Sequence, residues 1–117
     1  MKTLVVALAL SAAAFAQPKP EKALYVVTYI DVFPQFAADT AKLMQQFATE
    51  SLKESGAVRF EPLQDTVRSN HFTMVEVWKT RQDYDAHLMR DSTKRFREKL
   101  QPGLGGPFDE RMYYNMQ

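Results

Sequence analysis

The chain contains no cysteine. That single absence excludes disulfide staples, thiolate metal sites and cysteine nucleophiles. It also excludes a lipid anchor attached through a cysteine behind a leader segment. His71 and His87 are the only histidines, too few for a histidine-rich metal site, and a mixed His/Asp/Glu site has no recognisable spacing. Glycine is scarce, with four in 117 residues. The three at positions 103, 105 and 106 follow a helical segment and match neither a phosphate loop nor a dinucleotide fingerprint. No serine sits in a G-x-S-x-G elbow. No charge of one sign dominates: 15 basic against 14 acidic side chains leave a net charge of +1. Nucleic acid is therefore not an expected partner, because phosphate binding needs clustered Lys and Arg. The basic stretch Lys94–Lys99 is broken by Glu98 and reads as one solvated helical face.

A long hydrophobic run is also missing. Leu4–Ala14 is apolar apart from Ser11 but falls well short of the roughly twenty residues that a membrane span requires. With Lys2 before it and Ala14-Phe15-Ala16 behind it, the run has the three parts of a cleavable export signal. Gln17-Pro-Lys-Pro-Glu21 then reads as a solvated leader. The expected division is a signal peptide over 1–16, a leader over 17–23 and one domain over 24–117. The mature protein is expected to be secreted or periplasmic, with no stable membrane insertion after cleavage. Its 117 − 16 = 101 residues make a small core, which burial against a second copy would enlarge.

Leu24–Val32 is rich in β-branched and aromatic residues and predicts a strand. Pro34 suits the first turn of a helix, and Phe36, Leu43, Met44, Phe47, Ala48 and Leu52 recur at helical spacing behind it. Gly56 is expected to end that helix through a positive φ. Ala57–Gln64 predicts a second strand, with Pro62 marking a bulge or an edge. After a polar turn over Asp65–Asn70, His71–Lys79 alternates as a third strand. Thr80 and Asp83 form a capping box that opens a second helix. A break at Asp91-Ser92 starts further helical turns that end before Pro102, and Glu110–Met116 predicts the last strand. The order β-α-β-β-α-β implies an α+β, ferredoxin-like antiparallel sheet with helices on one face. Tyr25, Val27 and Tyr29, with Val75 and Val77, make the opposite face apolar too, so a homodimer that covers it is expected.

Glu76-Val-Trp78-Lys-Thr-Arg-Gln-Asp-Tyr84-Asp-Ala-His87-Leu88 carries the chemistry. Glu76 and Trp78 share a strand face with Phe72 and Met74. Tyr84, His87 and Leu88 stand at i, i+3 and i+4 on the next helix. An acid, an indole, a phenol and an imidazole thus converge near one end of an apolar layer, the form of a small-molecule site. Each has a plainer reading: Trp78 as core filler, His87 as a hydrogen-bonded core histidine, Tyr84 as packing, Glu76 as half of a salt bridge.

This junction resembles that of the antibiotic biosynthesis monooxygenase family, as do the opening strand, the Pro34 helix start, Glu54-Ser-Gly56 and the second strand with Phe60. The resemblance spans about residues 24–116. It implies a ferredoxin-like protomer pairing into a dimeric α/β barrel. It further implies a monooxygenase that oxidises a quinol-like or phenolic aromatic with O₂, with no metal, flavin or haem cofactor. Trp78, Phe72 and Met74 would bind the aromatic substrate, His87 or Glu76 would be the base, and Tyr84 would orient the phenol oxygen. A related haem-degrading branch is not matched, since Val27 and Thr28 occupy its first-strand Asn region, His87 falls near its Trp and Arg97 near its His. The alternative on the same fold is a non-catalytic dimer that binds a small molecule or a partner.

Intact mass of the exported protein should place its first residue at Gln17 or within a few positions of it. A cytoplasmic chain that retains Met1 would refute the export signal.

Overall fold

The computed structural model describes residues 2–7 and 21–117. The expected cleavage motif at 14–16 lies outside the described residues. The elements are β1 (Leu24–Asp31), α1 (Ala37–Ser51), β2 (Ala57–Gln64), β3 (His71–Trp78), α2 (Arg81–Met89), α3 (Asp91–Leu100) and β4 (Asp109–Tyr114). Short 3₁₀ turns at Pro34–Phe36 and Gln101–Gly103 lead into α1 and out of α3. Pro34 opens the first, where its missing N–H costs no hydrogen bond.

The sheet order is β2-β3-β1-β4, antiparallel throughout. This is the split βαββαβ, ferredoxin-like arrangement that the element order predicts. In one row across the sheet Phe60, Glu76, Val26 and Met112 stand side by side. In the next stand Pro62, Met74, Thr28 and Glu110. Alternation then decides what is buried. Leu24, Val26, Ile30, Phe72, Met74 and Trp78 meet Met44, Phe47 and Ala48 of α1, Tyr84 of α2, and Phe96 and Leu100 of α3. Phe47 and Phe96 stack with centroids 3.9 Å apart, which ties α1 to α3, and Phe60 meets the edge of Phe47 at 5.3 Å.

Two local expectations change. Gly56 has no positive φ, and α1 ends earlier, at Ser51 with Leu52 as its cap. The glycine is instead required by crowding: a Cβ at position 56 would overlap the Asp83 side chain. Asp83 is held there by the capping box, its N–H donating to Thr80 Oγ1 at 3.1 Å while that hydroxyl donates to Asp83 Oδ2 at 2.8 Å. The Lys79 N–H donates to the Gly56 carbonyl at 2.9 Å, so the end of β3 is held against the start of β2. The bulge in β2 falls between Ala57 and Arg59, while Pro62 lies on the edge strand, where a missing donor is tolerated.

Among the described residues no helix covers the other sheet face. Tyr25, Val27, Tyr29, Leu63, Val75 and Tyr113 lie on it, with the Arg111 guanidinium 5.2 Å from the Tyr29 ring centroid.

Candidate functional site

Glu76 is the anomaly of the core. Its neighbours across the sheet are Phe60 and Val26, and the residue is only 6% exposed. One carboxylate oxygen, Oε1, accepts the Trp78 indole N–H at 3.0 Å. That bond favours the anion, as does Arg97 at longer range, but loss of water outweighs both, with Glu110 and Glu54 adding repulsion. The pKa is pushed up to about 7.

His87 lies beside it, placed by α2. Its Nε2 is 3.8 Å from Glu76 Oε1, beyond hydrogen-bond reach, and its Nδ1 is 2.9 Å from Glu54 Oε2. Aromatic rings enclose the imidazole: Trp78 with its centroid at 4.6 Å, Phe47 at 5.4 Å and Phe60 at 5.6 Å. Burial lowers the His87 pKa; Glu54 opposes this, and Arg97 and Arg90 reinforce it. In water a glutamic acid is the stronger acid of such a pair. Here burial moves both groups toward their neutral forms and reverses that order, leaving a carboxyl that can donate a proton next to an imidazole that can accept one.

A small cavity opens onto both groups. Thr28, Ile30 and Met74 form its floor on the sheet, and Phe47, Thr93, Phe96 and Leu100 form its helical wall. Arg97 and Phe108 are its half-buried members and make its mouth, the guanidinium carbon lying 5.2 Å from the ring centroid. The free volume is about 30 Å³, room for one or two waters.

Of the residues singled out from the sequence, Glu76, His87 and Met74 line this cavity. Trp78, Tyr84 and Phe72 do not. Trp78 lies behind Glu76 as its hydrogen-bond donor, and Phe72 lies four residues along β3, toward the other end of the strand. Tyr84 packs at 6.2 Å from both Trp78 and His87, its enclosed hydroxyl without a hydrogen-bond partner among the described residues. Arg97 departs from the solvated face expected for Lys94–Lys99. It turns inward to the cavity and bonds Glu110 at 3.4 Å. The pattern 93-96-97-100, an i, i+3, i+4, i+7 stripe, is the signal that identifies this inward face of α3. Glu54 carries no comparable signal, because it reaches His87 from a turn 33 positions earlier in the chain.

The sequence profile described as antibiotic biosynthesis monooxygenase matches residues 23–99. The chain belongs to that family. Among curated proteins, none matches it. Solved structures agree with the family fold. A candidate antibiotic biosynthesis monooxygenase from Nitrosomonas europaea superposes with a TM-score of 0.77 at 21% identity, covering 80% of this chain and 99% of its own. A conserved protein from Methanosarcina mazei gives 0.75 at 26%, covering 80% and 93%. A Pseudomonas aeruginosa protein gives 0.78 at 19%, covering 86% and 100%. In this member of the antibiotic biosynthesis monooxygenase family no helix among the described residues is long and apolar enough to cross a membrane.

The two shifted groups make stability depend on pH in opposite directions. Glu76 titrates near 4.5 when unfolded and about 7 when folded, so the folded state holds the extra proton between those values and stability falls as pH rises through them. His87, depressed in the fold, costs stability as pH drops below about 6.5, where the unfolded chain takes up the proton first. Glu76→Gln keeps an oxygen for the Trp78 N–H and removes only the first effect. Urea unfolding at pH 5 and pH 8 should show the variant gaining on the wild type by up to about 3 kcal/mol over that interval. Parallel pH profiles would refute a desolvated Glu76.

Proposed function

We propose that the chain is a cofactor-independent monooxygenase that oxidises a quinol-like or phenolic aromatic with O₂. The observation that carries this reading is the buried Glu76–His87 pair side by side on the wall of a cavity lined largely by apolar and aromatic side chains. An electron-rich phenol needs only to lose its proton in a dry site before it can reduce O₂ itself. A hydroquinone and O₂ then give a hydroxyquinone and water. One oxygen atom forms a new C–O bond, the O–O bond breaks, and the other oxygen leaves as water with the two hydrogens that the substrate loses.

In this scheme His87 takes the phenolic proton and Glu76 supplies one to the departing oxygen. Met74 forms an apolar floor beneath the helical phenylalanines. Trp78 holds Glu76 in place, while Tyr84 and Phe72 support the site from outside the cavity. A space of about 30 Å³ is smaller than an aromatic ring, so the substrate enters by displacing Arg97 and Phe108 at the mouth. The protein acts as an exported homodimer, its second copy covering the sheet face that bears Tyr25, Val27, Tyr29 and Tyr113. This face is too apolar to be left in water.

Two measurements test this reading. Purified mature protein should consume O₂ with at least one of a panel of hydroquinones. His87→Gln should lower kcat by roughly 10² to 10⁴, the range for general-base catalysis, with the unfolding midpoint read on the same preparation. Hydroquinone binding without O₂ uptake would favour the non-catalytic binding protein, and equal turnover with lower stability would make His87 a core residue. Sedimentation at micromolar concentration should give twice the mature mass, and a stable monomer would remove the second copy.

A further inference from the structure

We infer that Glu54 is a positioning residue: from the turn between α1 and β2 it fixes His87 as the tautomer protonated on Nδ1, so that Nε2 is the nitrogen that takes the substrate's proton. The inference rests on the reading of His87 as the base and names the atom that acts.

The hydrogen bonds around the ring decide the tautomer. Nδ1 has two polar neighbours, Glu54 Oε2 at 2.9 Å and Thr93 Oγ1 at 3.5 Å. The Thr93 hydroxyl proton is already committed, because Oγ1 donates to the His87 carbonyl at 2.6 Å. Both neighbours therefore offer Nδ1 lone pairs only. A bare nitrogen there would face two acceptors on a buried ring, so Nδ1 must carry the hydrogen. Glu54 is itself held rigidly, its N–H donating to the Ser51 carbonyl at 3.1 Å and its carbonyl accepting from Ala57 at 3.0 Å. Its other oxygen, Oε1, lies 3.7 Å from Arg90 Nε.

On the opposite side, Nε2 faces Glu76 Oε1, which is beyond hydrogen-bond reach at 3.8 Å and already accepts the Trp78 N–H. The Nε2 lone pair is left for a ligand. When it is protonated, the imidazolium lies between Glu54 from the α1–β2 turn and Glu76 from β3. Arg90 at the end of α2 and Arg97 of α3 oppose the new charge. Glu54 thus orients the ring and offsets the charge that the reaction creates, without touching the substrate.

Nitrogen NMR of protein labelled at histidine tests this without a substrate. His71→Gln assigns the two sets of signals. At pH 8 His87 should show a protonated Nδ1 and a bare Nε2; a proton on Nε2 would overturn the inference. In Glu54→Gln the amide can donate to Nδ1, which should move the proton to Nε2. Turnover of hydroquinone should then fall roughly 10² to 10⁴-fold, with KM little changed. Glu54→Asp, which keeps the carboxylate, should retain the Nδ1–H tautomer and recover most of the rate. Glu54→Gln with wild-type tautomer and turnover would also overturn the inference. If the wild type consumes no O₂, the proposed function falls by itself, while the resting tautomer still decides the role of Glu54.

Discussion

The loss of water around the Glu76 carboxylate is the constraint on which the rest of the site depends. A carboxylate between Phe60 and Val26 in the middle of a sheet is tolerated only when it is protonated or closely partnered. Trp78 supplies one partner, and the pKa of about 7 reflects how incompletely that substitutes for water. The same dry surroundings depress His87, so each group is poised against its behaviour in solution. In their neutral forms the carboxyl has a proton to give and the imidazole a lone pair to take one.

The fold was legible in the sequence because its signals are periodic and local. Alternation in 24–31 and 71–78, helical spacing in 37–51, and the Thr80–Asp83 box each correspond to an observed element. The order of elements then restricts the topology to a split βαββαβ sheet. The Glu76–His87 pair was legible for a related reason: a two-residue strand repeat and an i, i+3 helix repeat fix which face each residue shares.

Periodicity specifies a face but not a depth. Phe72, Met74, Glu76 and Trp78 share one side of β3, yet the cavity touches only the middle two. At roughly 3.3 Å per residue, the ends of that row lie too far apart to line one small space. Tyr84 shares a helix face with His87 and still packs behind the indole rather than into the cavity. Glu54 and Arg97 posed the opposite difficulty. They reach the site from separate elements, and only the packing of α1 and α3 on the sheet, through Phe47 against Phe96, brings them there. Gly56 is similar, since its requirement comes from Asp83, 27 positions on in the numbering, and not from its own backbone.

The placement of the one tryptophan has an optical consequence. Trp78 is fully buried, bonded through its N–H to Glu76, with its ring 4.6 Å from that of His87. An indole in such surroundings emits at short wavelength, and its excited state is quenched by an adjacent imidazolium. The tryptophan fluorescence of the chain therefore comes from beside Glu76 and His87, with no second tryptophan to dilute it. Its intensity and colour should follow the protonation of Glu76 and His87, so the protein carries its own indicator beside these two groups.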